Sequence, residues 1–182
     1  MDAAWLGRAV PATEGGFFKK AVCVAAAGGS RFAWTHLGGI KEFKNAVLLF
    51  IHFDGSGANA LLDGGRAVTW RAQNKQTLFS AQLLRMLHHA KGAWYPPADA
   101  DAAAGDGART FLPPCAIGLA ARVDESEPYV WLGQLEHVKH DPRSHPVEVV
   151  WRLKSFDALL AAKDGAGAPG ARFRALVKAA GV

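Results

Sequence analysis

The chain is poor in cysteine, since only Cys23 and Cys115 carry a thiol. Two cysteines cannot build a disulfide framework, and neither stands in a CxxC or Cys-His spacing of the kind that holds zinc. Long apolar runs are also missing, because AVLLFIHF at residues 46–53 falls far short of the roughly 20 residues that a membrane helix needs. These absences predict an intracellular protein, cytoplasmic in a bacterium or nuclear in a eukaryote, without a membrane partner.

Motifs of several enzyme classes are absent as well. The chain contains neither GxSxG nor GxxxxGK[ST], and GGSRF at 28–32 lacks the lysine of a phosphate-binding loop. A metal-dependent nuclease normally gathers several carboxylates around a divalent ion, and only single carboxylates such as Glu136 and Asp141 lie near histidines here. We therefore expect no catalytic residue, no bound metal and no cofactor.

The composition that is present suits one globular domain. Half of the residues are apolar and a fifth are charged, close to the average of folded proteins. A length of 182 residues suffices for one full core, so we expect a single domain over residues 1–182. The formal net charge of +5 and the pI of about 9.4 favour an anionic partner, although such an excess is common in soluble proteins.

Apolar runs and alternation predict an α+β fold. Strands are predicted at 19–27, 44–53, 61–72, 113–123, 128–140 and 146–153. Helical spacing predicts one helix from an N-cap at Thr77 to Gly92, and two more at 156–162 and 171–180. The small polar residues of 98–110 predict a mobile loop. We expect a curved, mostly antiparallel sheet or barrel with flanking helices.

The stretch VTWRAQNKQT at 68–77 combines a ring, cations and amides. These side chains offer a stacking face, charges for phosphates and hydrogen bonds for a base edge, and they belong to Trp70, Arg71, Gln73, Asn74, Lys75 and Gln76. The pattern indicates a nucleotide-binding surface. It is equally compatible with a Trp70 ring packed in the core beside Val68 and amides that satisfy local backbone groups.

A second polar cluster spans the end of the strand predicted at 128–140 and the turn after it. It consists of His137, Lys139, His140, Arg143 and His145. In a turn, these cations are suited to gripping phosphates. The alternatives are a solvated hairpin tip and a metal site, although the spacing matches no known zinc motif.

Together the two clusters resemble a domain found at the C-terminal end of helicase-containing type IV restriction proteins. The first motif of that family, approximately aromatic-His-Trp-Gln-Ser-Gln-Asn, is matched by Trp70, Gln73 and Asn74. The second, approximately Leu-Gly, then Ser-His, Pro and Trp-x-Leu, is matched by Leu132, Gly133, His140, Pro146, Trp151 and Leu153. The resemblance covers about half of the chain.

Members of this group are similar to SET- and RING-associated (SRA) domains, which are PUA-like β-barrels. The resemblance implies binding to DNA that carries a modified cytosine, 5-methylcytosine above all, by flipping the base into a pocket. The candidates for the pocket are Trp70, Gln73, Asn74, Tyr129 and Trp131. The candidates for contacts to the DNA backbone are Arg71, Lys75, Gln76, His137, Lys139, His140, Arg143 and His145.

In such proteins the helicase and nuclease regions lie in other domains, so the expected partners are modified duplex DNA and those regions of a larger protein. We expect a binding module without catalysis. Two alternatives stay open. One is a metal-dependent nuclease built on Glu136, His137, His140, Asp141 and His145. The other is an RNA-binding or protein-binding module.

Overall fold

The structure is a computed structural model. It describes residues 3–11, 18–26, 38–53, 59–73, 76–95, 110–162 and 169–181. The predicted mobile loop at 98–110 lies outside the described residues except for Thr110, and so does the glycine-containing segment 28–32.

The described residues form four α-helices and nine β-strands. The helices are α1 Phe18–Ala26, α2 Ala81–Leu87, α3 Phe156–Ala161 and α4 Pro169–Ala179. The strands are β1 Ile40–Glu42, β2 Ala46–His52, β3 Ala60–Leu62, β4 Ala67–Arg71, β5 Ala93–Tyr95, β6 Thr110–Leu112, β7 Ala116–Arg122, β8 Val130–Asp141 and β9 Glu148–Leu153. None of the described helices has the length and hydropathy that a membrane span requires.

Seven of the strands form one mixed sheet in the order β1-β2-β7-β8-β9-β4-β3. All neighbouring pairs are antiparallel except β2 and β7, which run parallel. Strands β5 and β6 form a separate two-stranded ribbon. The predicted α+β class is confirmed. Over the described residues the sheet is not closed into a barrel, because β1 and β3 stand at its two edges.

Alternation along the central strands divides the interior into two cores. In β2, Val47 and Leu49 face the first core, whereas Leu48 and Phe50 face the second. Helices α2, α3 and α4 contribute buried side chains to the first core, and α1 contributes Val22 to the second. Burying a strand on both faces explains why β2 reads as a continuous apolar run.

The strand predicted at 19–27 is wrong, because the segment forms α1. Phe18, Val22 and Ala25 follow the i, i+4, i+7 spacing of a helix and all pack in or against the second core. Ala21 and Cys23 beside them are also buried. Short apolar runs are ambiguous between strand and helix, and alanine favours the helix.

The other predicted elements are largely confirmed, with shifted ends. Helix α2 begins at Ala81 and ends at Leu87, so it is shorter than predicted and Thr77 is not its N-cap. Thr77 instead opens a turn, in which its backbone N–H donates to Ser80 Oγ over 2.9 Å. Gly92 follows the helix with φ +77° and donates its N–H to the carbonyl of His88, as a glycine after a helix end can.

Candidate functional site

The two polar segments of the sequence lie next to each other in the sheet. Strand β4 pairs with β9, which places Trp70 opposite Val149 and Arg71 opposite Glu148. Beyond the strand, the N–H of Ala72 donates to the carbonyl of Val147 over 2.9 Å. Strand β9 pairs in turn with β8, which carries the histidines. The strand end at 71–73 and the β8–β9 hairpin are therefore neighbours.

The first segment is mostly used for packing. The ring of Trp70 lies in the first core and is 5% exposed. Gln76 is also buried, and its amide accepts from the N–H of Gln73 and donates to Gln82 Oε1. Trp70 thus presents no face for stacking in this conformation, and Gln76 holds the chain rather than projecting from it. Gln73 is exposed, while Asn74 and Lys75 lie outside the described residues.

Tyr129 and Trp131 lie in the second core, on the other face of the sheet from Trp70. The ring of Tyr129 meets Phe50 edge-on at 5.1 Å between centroids, and the Arg122 guanidinium lies 4.6 Å from its centre. The ring of Trp131 packs over Gly118. As placed here, neither ring can take part in one pocket with the hairpin histidines.

Among the described residues, the most exposed aromatic rings are elsewhere. Phe79 is 76% exposed ahead of α2, and Trp94 on β5 is 62% exposed. Trp94 contacts Phe111 on β6, with 5.2 Å between ring centroids. The Trp94 ring packs mainly on this cross-strand neighbour.

A β-bulge in β8 brings two histidines together. The pairing with β9 shifts between His137 and Lys139, so His137 stands opposite Trp151 and His140 opposite Val149. In a regular strand, residues three apart point to opposite faces, and the extra residue of a bulge restores them to one face. His137 Nε2 and His140 Nδ1 are consequently 3.2 Å apart and hydrogen-bonded.

These two histidines line a cavity of about 480 Å³ between the end of α2 and strand β8. We call it the histidine pocket, and its lining consists of Leu87, His88, His89, Ala90, Lys91, Glu136, His137, His140 and Lys154. The volume lies within the range of small-molecule sites, about 300–1,000 Å³. The turn after α2 supplies His88 to Lys91, β8 supplies Glu136 to His140, and Lys154 follows the end of β9.

Trp151 lies beneath the imidazoles of the pocket. It is fully buried, and its ring contacts His137 at 5.7 Å and His89 at 6.2 Å between centroids. Its indole Nε1 is buried without a hydrogen-bond partner among the described residues. The backbone N–H of His137 reaches His89 Nε2 at 3.5 Å. Packing and these contacts hold the histidine rings in place.

The electrostatics of the histidine pocket are positive. Glu136 accepts two hydrogen bonds from Arg152, at 2.6 and 3.1 Å, and these bonds, followed by the charges of Arg152 and Lys154, hold the pKa of its carboxyl below the usual value. Burial lowers the pKa of His137, and the neighbouring imidazoles, first that of His140, lower it further. Lys91 and Lys154 form no salt bridge within 4 Å in the described part of the chain.

The remaining residues that were predicted to contact the DNA backbone lie near the hairpin. They differ in whether another side chain of the protein already holds them. Arg71 is held by Glu148, with Nε 3.1 Å from the carboxylate. Lys139, Arg143 and His145 are exposed. The turn between the strands is organised by Asp141, whose carboxylate accepts from the N–H of Arg143 at 2.9 Å. A cationic edge therefore surrounds the hairpin end.

No group of three or more potential metal ligands occurs among the described residues. The residues of the nuclease alternative are engaged otherwise, since Glu136 binds Arg152 and the Asp141 carboxylate accepts from the turn. His137 and His140 bind each other. A pair of imidazoles without a free carboxylate is not the oxygen-rich ligand set that Mg²⁺ prefers.

A second cavity, of about 410 Å³, lies between the end of β7 and α4. Its charged lining residues are of both signs, namely Arg122, Asp124, Glu127 and Arg172. Arg122 is occupied by the carbonyl of Glu125 and by the Tyr129 ring. The two acidic and two basic residues of this lining balance each other, whereas the histidine pocket has two lysines and one carboxylate that Arg152 holds.

Sequence reasoning missed six of the nine residues that line the histidine pocket. His88 and His89 stand next to each other after α2, and their sequence position suggests only a favourable interaction with the helix end. Lys91 and Lys154 carried no motif at all. Comparison of the chain with family models, with curated proteins and with solved structures finds no match.

Proposed function

We propose that this chain is a DNA-binding module that accepts a modified cytosine, extruded from the duplex, in the histidine pocket. Extrusion costs a few kcal/mol of stacking and pairing, which contacts in a pocket and to the flanking phosphates must offset. The pocket has imidazole rings for contact with a base, and the exposed cations of the neighbouring hairpin are available for phosphates. No catalytic step belongs to this proposal.

One observation carries it: the pocket lies at the hairpin that bears the second sequence motif. His140 of that motif lines the pocket, and Trp151 of the same motif lies under it. Motif residues that converge on a cavity are a stronger indication of binding than motif residues in a core. The excess of positive charge, +5 over the chain, is consistent with an anionic partner.

We infer further that the domain is a distant relative of the SRA-like, PUA-like barrels. The support for this relationship is the two sequence motifs and the α+β architecture with adjacent motif strands. The open sheet of the described residues is the feature that departs from such a barrel. In the proposed arrangement Trp70 supports the pocket from the core instead of lining it.

Filling the pocket tests the proposal directly. Ala90 is exposed and lines the histidine pocket, and Ala175 is exposed and lines the second cavity. We expect Ala90→Trp to abolish the preference for modified over plain duplexes, whereas Ala175→Trp keeps it. Fluorescence anisotropy with one short duplex in cytosine, 5-methylcytosine and 5-hydroxymethylcytosine forms measures both variants.

Two outcomes would contradict the proposal: no binding of any duplex at low salt, or equal selectivity in wild type and Ala90→Trp. Binding should survive EDTA and weaken steeply as salt rises. Cleavage that depends on added Mg²⁺ would instead support the nuclease alternative. A preference for an RNA hairpin over every duplex would support an RNA-binding module.

A further inference from the structure

We propose that the histidine pocket selects a cytosine whose C5 substituent is anionic, namely a carboxylate, over one that carries a methyl group. The inference rests on the proposed DNA-binding function and names the modification that the pocket reads. It starts from the chemistry of the lining, in which seven of the nine residues, all but Leu87 and Ala90, have a titratable side chain.

The charges around the pocket are not balanced. Glu136 is the one carboxylate of the described lining, and Arg152 holds it in two hydrogen bonds. Lys91 and Lys154 have no salt bridge of their own in the described part of the chain. A bound carboxylate would supply the missing negative charge, and hydrogen bonds from a cation to a carboxylate are roughly twice as strong as neutral ones.

A methyl group would gain less from this lining. Selective recognition of a methyl group requires an apolar contact, because the methyl offers neither charge nor hydrogen bonds. Only Leu87 and Ala90 of the described lining are apolar, and Leu87 also packs against the first core. The two ammonium groups, and the imidazole N–H groups that the His137–His140 hydrogen bond does not use, are donors that a carboxylate can accept from.

The imidazoles couple the binding of an anion to the uptake of protons. The charged and titratable groups that face His137 come from three places: His88, His89 and Lys91 after α2, Glu136 and His140 on β8 with Arg152 beside them on β9, and Lys154 after β9. Burial, and after it the charges of the neighbouring imidazoles, keep the pKa of His137 low in the free protein. A carboxylate in the pocket reverses this effect, so protons are taken up on binding and affinity rises as the pH falls.

The experiment compares four duplexes that differ at one base: cytosine, 5-methylcytosine, 5-hydroxymethylcytosine and 5-carboxylcytosine. Anisotropy titrations with the full chain are run at one ionic strength, at two pH values about one and a half units apart around neutrality. We expect the carboxyl form to bind about 10- to 100-fold more tightly than the methyl form, the range expected for hydrogen bonds to a charged group. The ratio between the two should grow at the lower pH.

Matched variants assign the effect to the pocket. Lys91 and Lys154 are exposed, so the double change Lys91→Met and Lys154→Met should fold and should remove most of the preference for the carboxyl form. Lys178 on α4 is an exposed lysine away from the pocket lining, and Lys178→Met should retain the preference. Circular dichroism confirms that each variant is folded.

The failures are distinguishable. If the methyl or hydroxymethyl duplex binds as tightly as the carboxyl duplex, and Ala90→Trp still abolishes the preference for modified over plain duplexes, the inference is overturned and the proposed function stands. The cations would then contact a backbone phosphate, which every duplex provides. If no duplex binds, both fall. A preference for the carboxyl form that survives the double lysine change would also overturn the inference.

Discussion

The two halves of the large sheet differ in how much of them is covered. Strands β2, β7 and the first part of β8 are buried on both faces, between the first core and the second. Strands β3, β4, β9 and the end of β8 contribute to the first core with one face only. Their other face carries exposed or partly exposed residues, including the ion pairs Arg71–Glu148 and Arg152–Glu136.

The buried tryptophans of the two halves, Trp131 and Trp151, have different neighbours because of this difference. Trp131 is enclosed between the strands and α1 in the second core. Trp151 is equally buried, but it lies where β8 emerges from the doubly covered half, and the histidines pack on it. His137 and His140 lie opposite Trp151 and Val149 on the first-core side of the sheet, and the histidine pocket forms there, between β8 and the turn after α2.

Removal of the Trp131 side chain should lower the stability of the protein more than any other change proposed for the two halves of the sheet. We expect Trp131→Ala to lower the free energy of unfolding by about 3–5 kcal/mol, the usual loss for a large buried aromatic side chain. Val150 is partly buried on the open face of the other half. Val150→Ala should lower the free energy of unfolding by about 1 kcal/mol or less. Urea denaturation measures both, and equal losses would show that the halves do not differ.

A methyl group added at Gly118 tests how tightly side chains pack in the half of the sheet that is buried on both faces. The Cβ of an alanine there would clash with the Trp131 ring and lie 2.9 Å from Leu48 Cδ2. We expect Gly118→Ala to cost about 1–3 kcal/mol of stability by overpacking. In the background of Trp131→Phe the same change should cost less, because the smaller ring leaves room. An unchanged cost would indicate that the clash involves other atoms.

The histidine pocket should make stability depend on pH. Because the pKa of His137 is lower in the folded protein than in the unfolded chain, the unfolded state binds more protons between the two values. The stabilisation is complete above the ordinary histidine pKa of about 6.5 and is lost as the pH falls through the folded value. Denaturation curves of His137→Gln should show a weaker loss between neutral and mildly acidic pH. A wild-type curve that is flat there would contradict the prediction.

The smallest effect on stability is expected at the surface ion pair Arg71–Glu148, in the half of the sheet with one exposed face. Arg71 and Glu148 are both partly exposed, and exposed ion pairs are worth about 0–1 kcal/mol. Arg71→Met should therefore change the midpoint of urea unfolding very little. If Arg71 also contacts phosphate, the salt dependence of DNA binding should flatten by about one unit. Arg143→Met, at the exposed turn, is the matched comparison.

Much of the fold could be predicted because alternation reports burial directly. The pattern of Val68, Trp70 and Ala72 against Thr69 and Arg71 predicted which face of β4 is buried. The apolar run of β2 likewise predicted a buried strand. The error at α1 arose where alanine, valine and cysteine follow one another, since such a run is buried in either conformation.

The candidate site could be predicted only in part. His137 and His140 were recognised as polar exceptions in an apolar pattern, and they do line a pocket. The resemblance assigned Trp70, Tyr129 and Trp131 to a pocket, with a core position left open for Trp70, and the structure packs all three in cores. An aromatic ring fits a core as well as a base pocket, so its sequence context alone cannot separate the two.

What the sequence by itself determined is the α+β class and the buried faces of strands such as β2 and β4, because local periodicity decides which side of an element is apolar. The tertiary structure decided that His137 and His140 share a face, since the bulge exists only in the pairing of β8 with β9. It also decided that the turn after α2 meets them, with His88, His89 and Lys91 distant in sequence. A pocket is formed between elements, so the periodicity of no single segment encodes it.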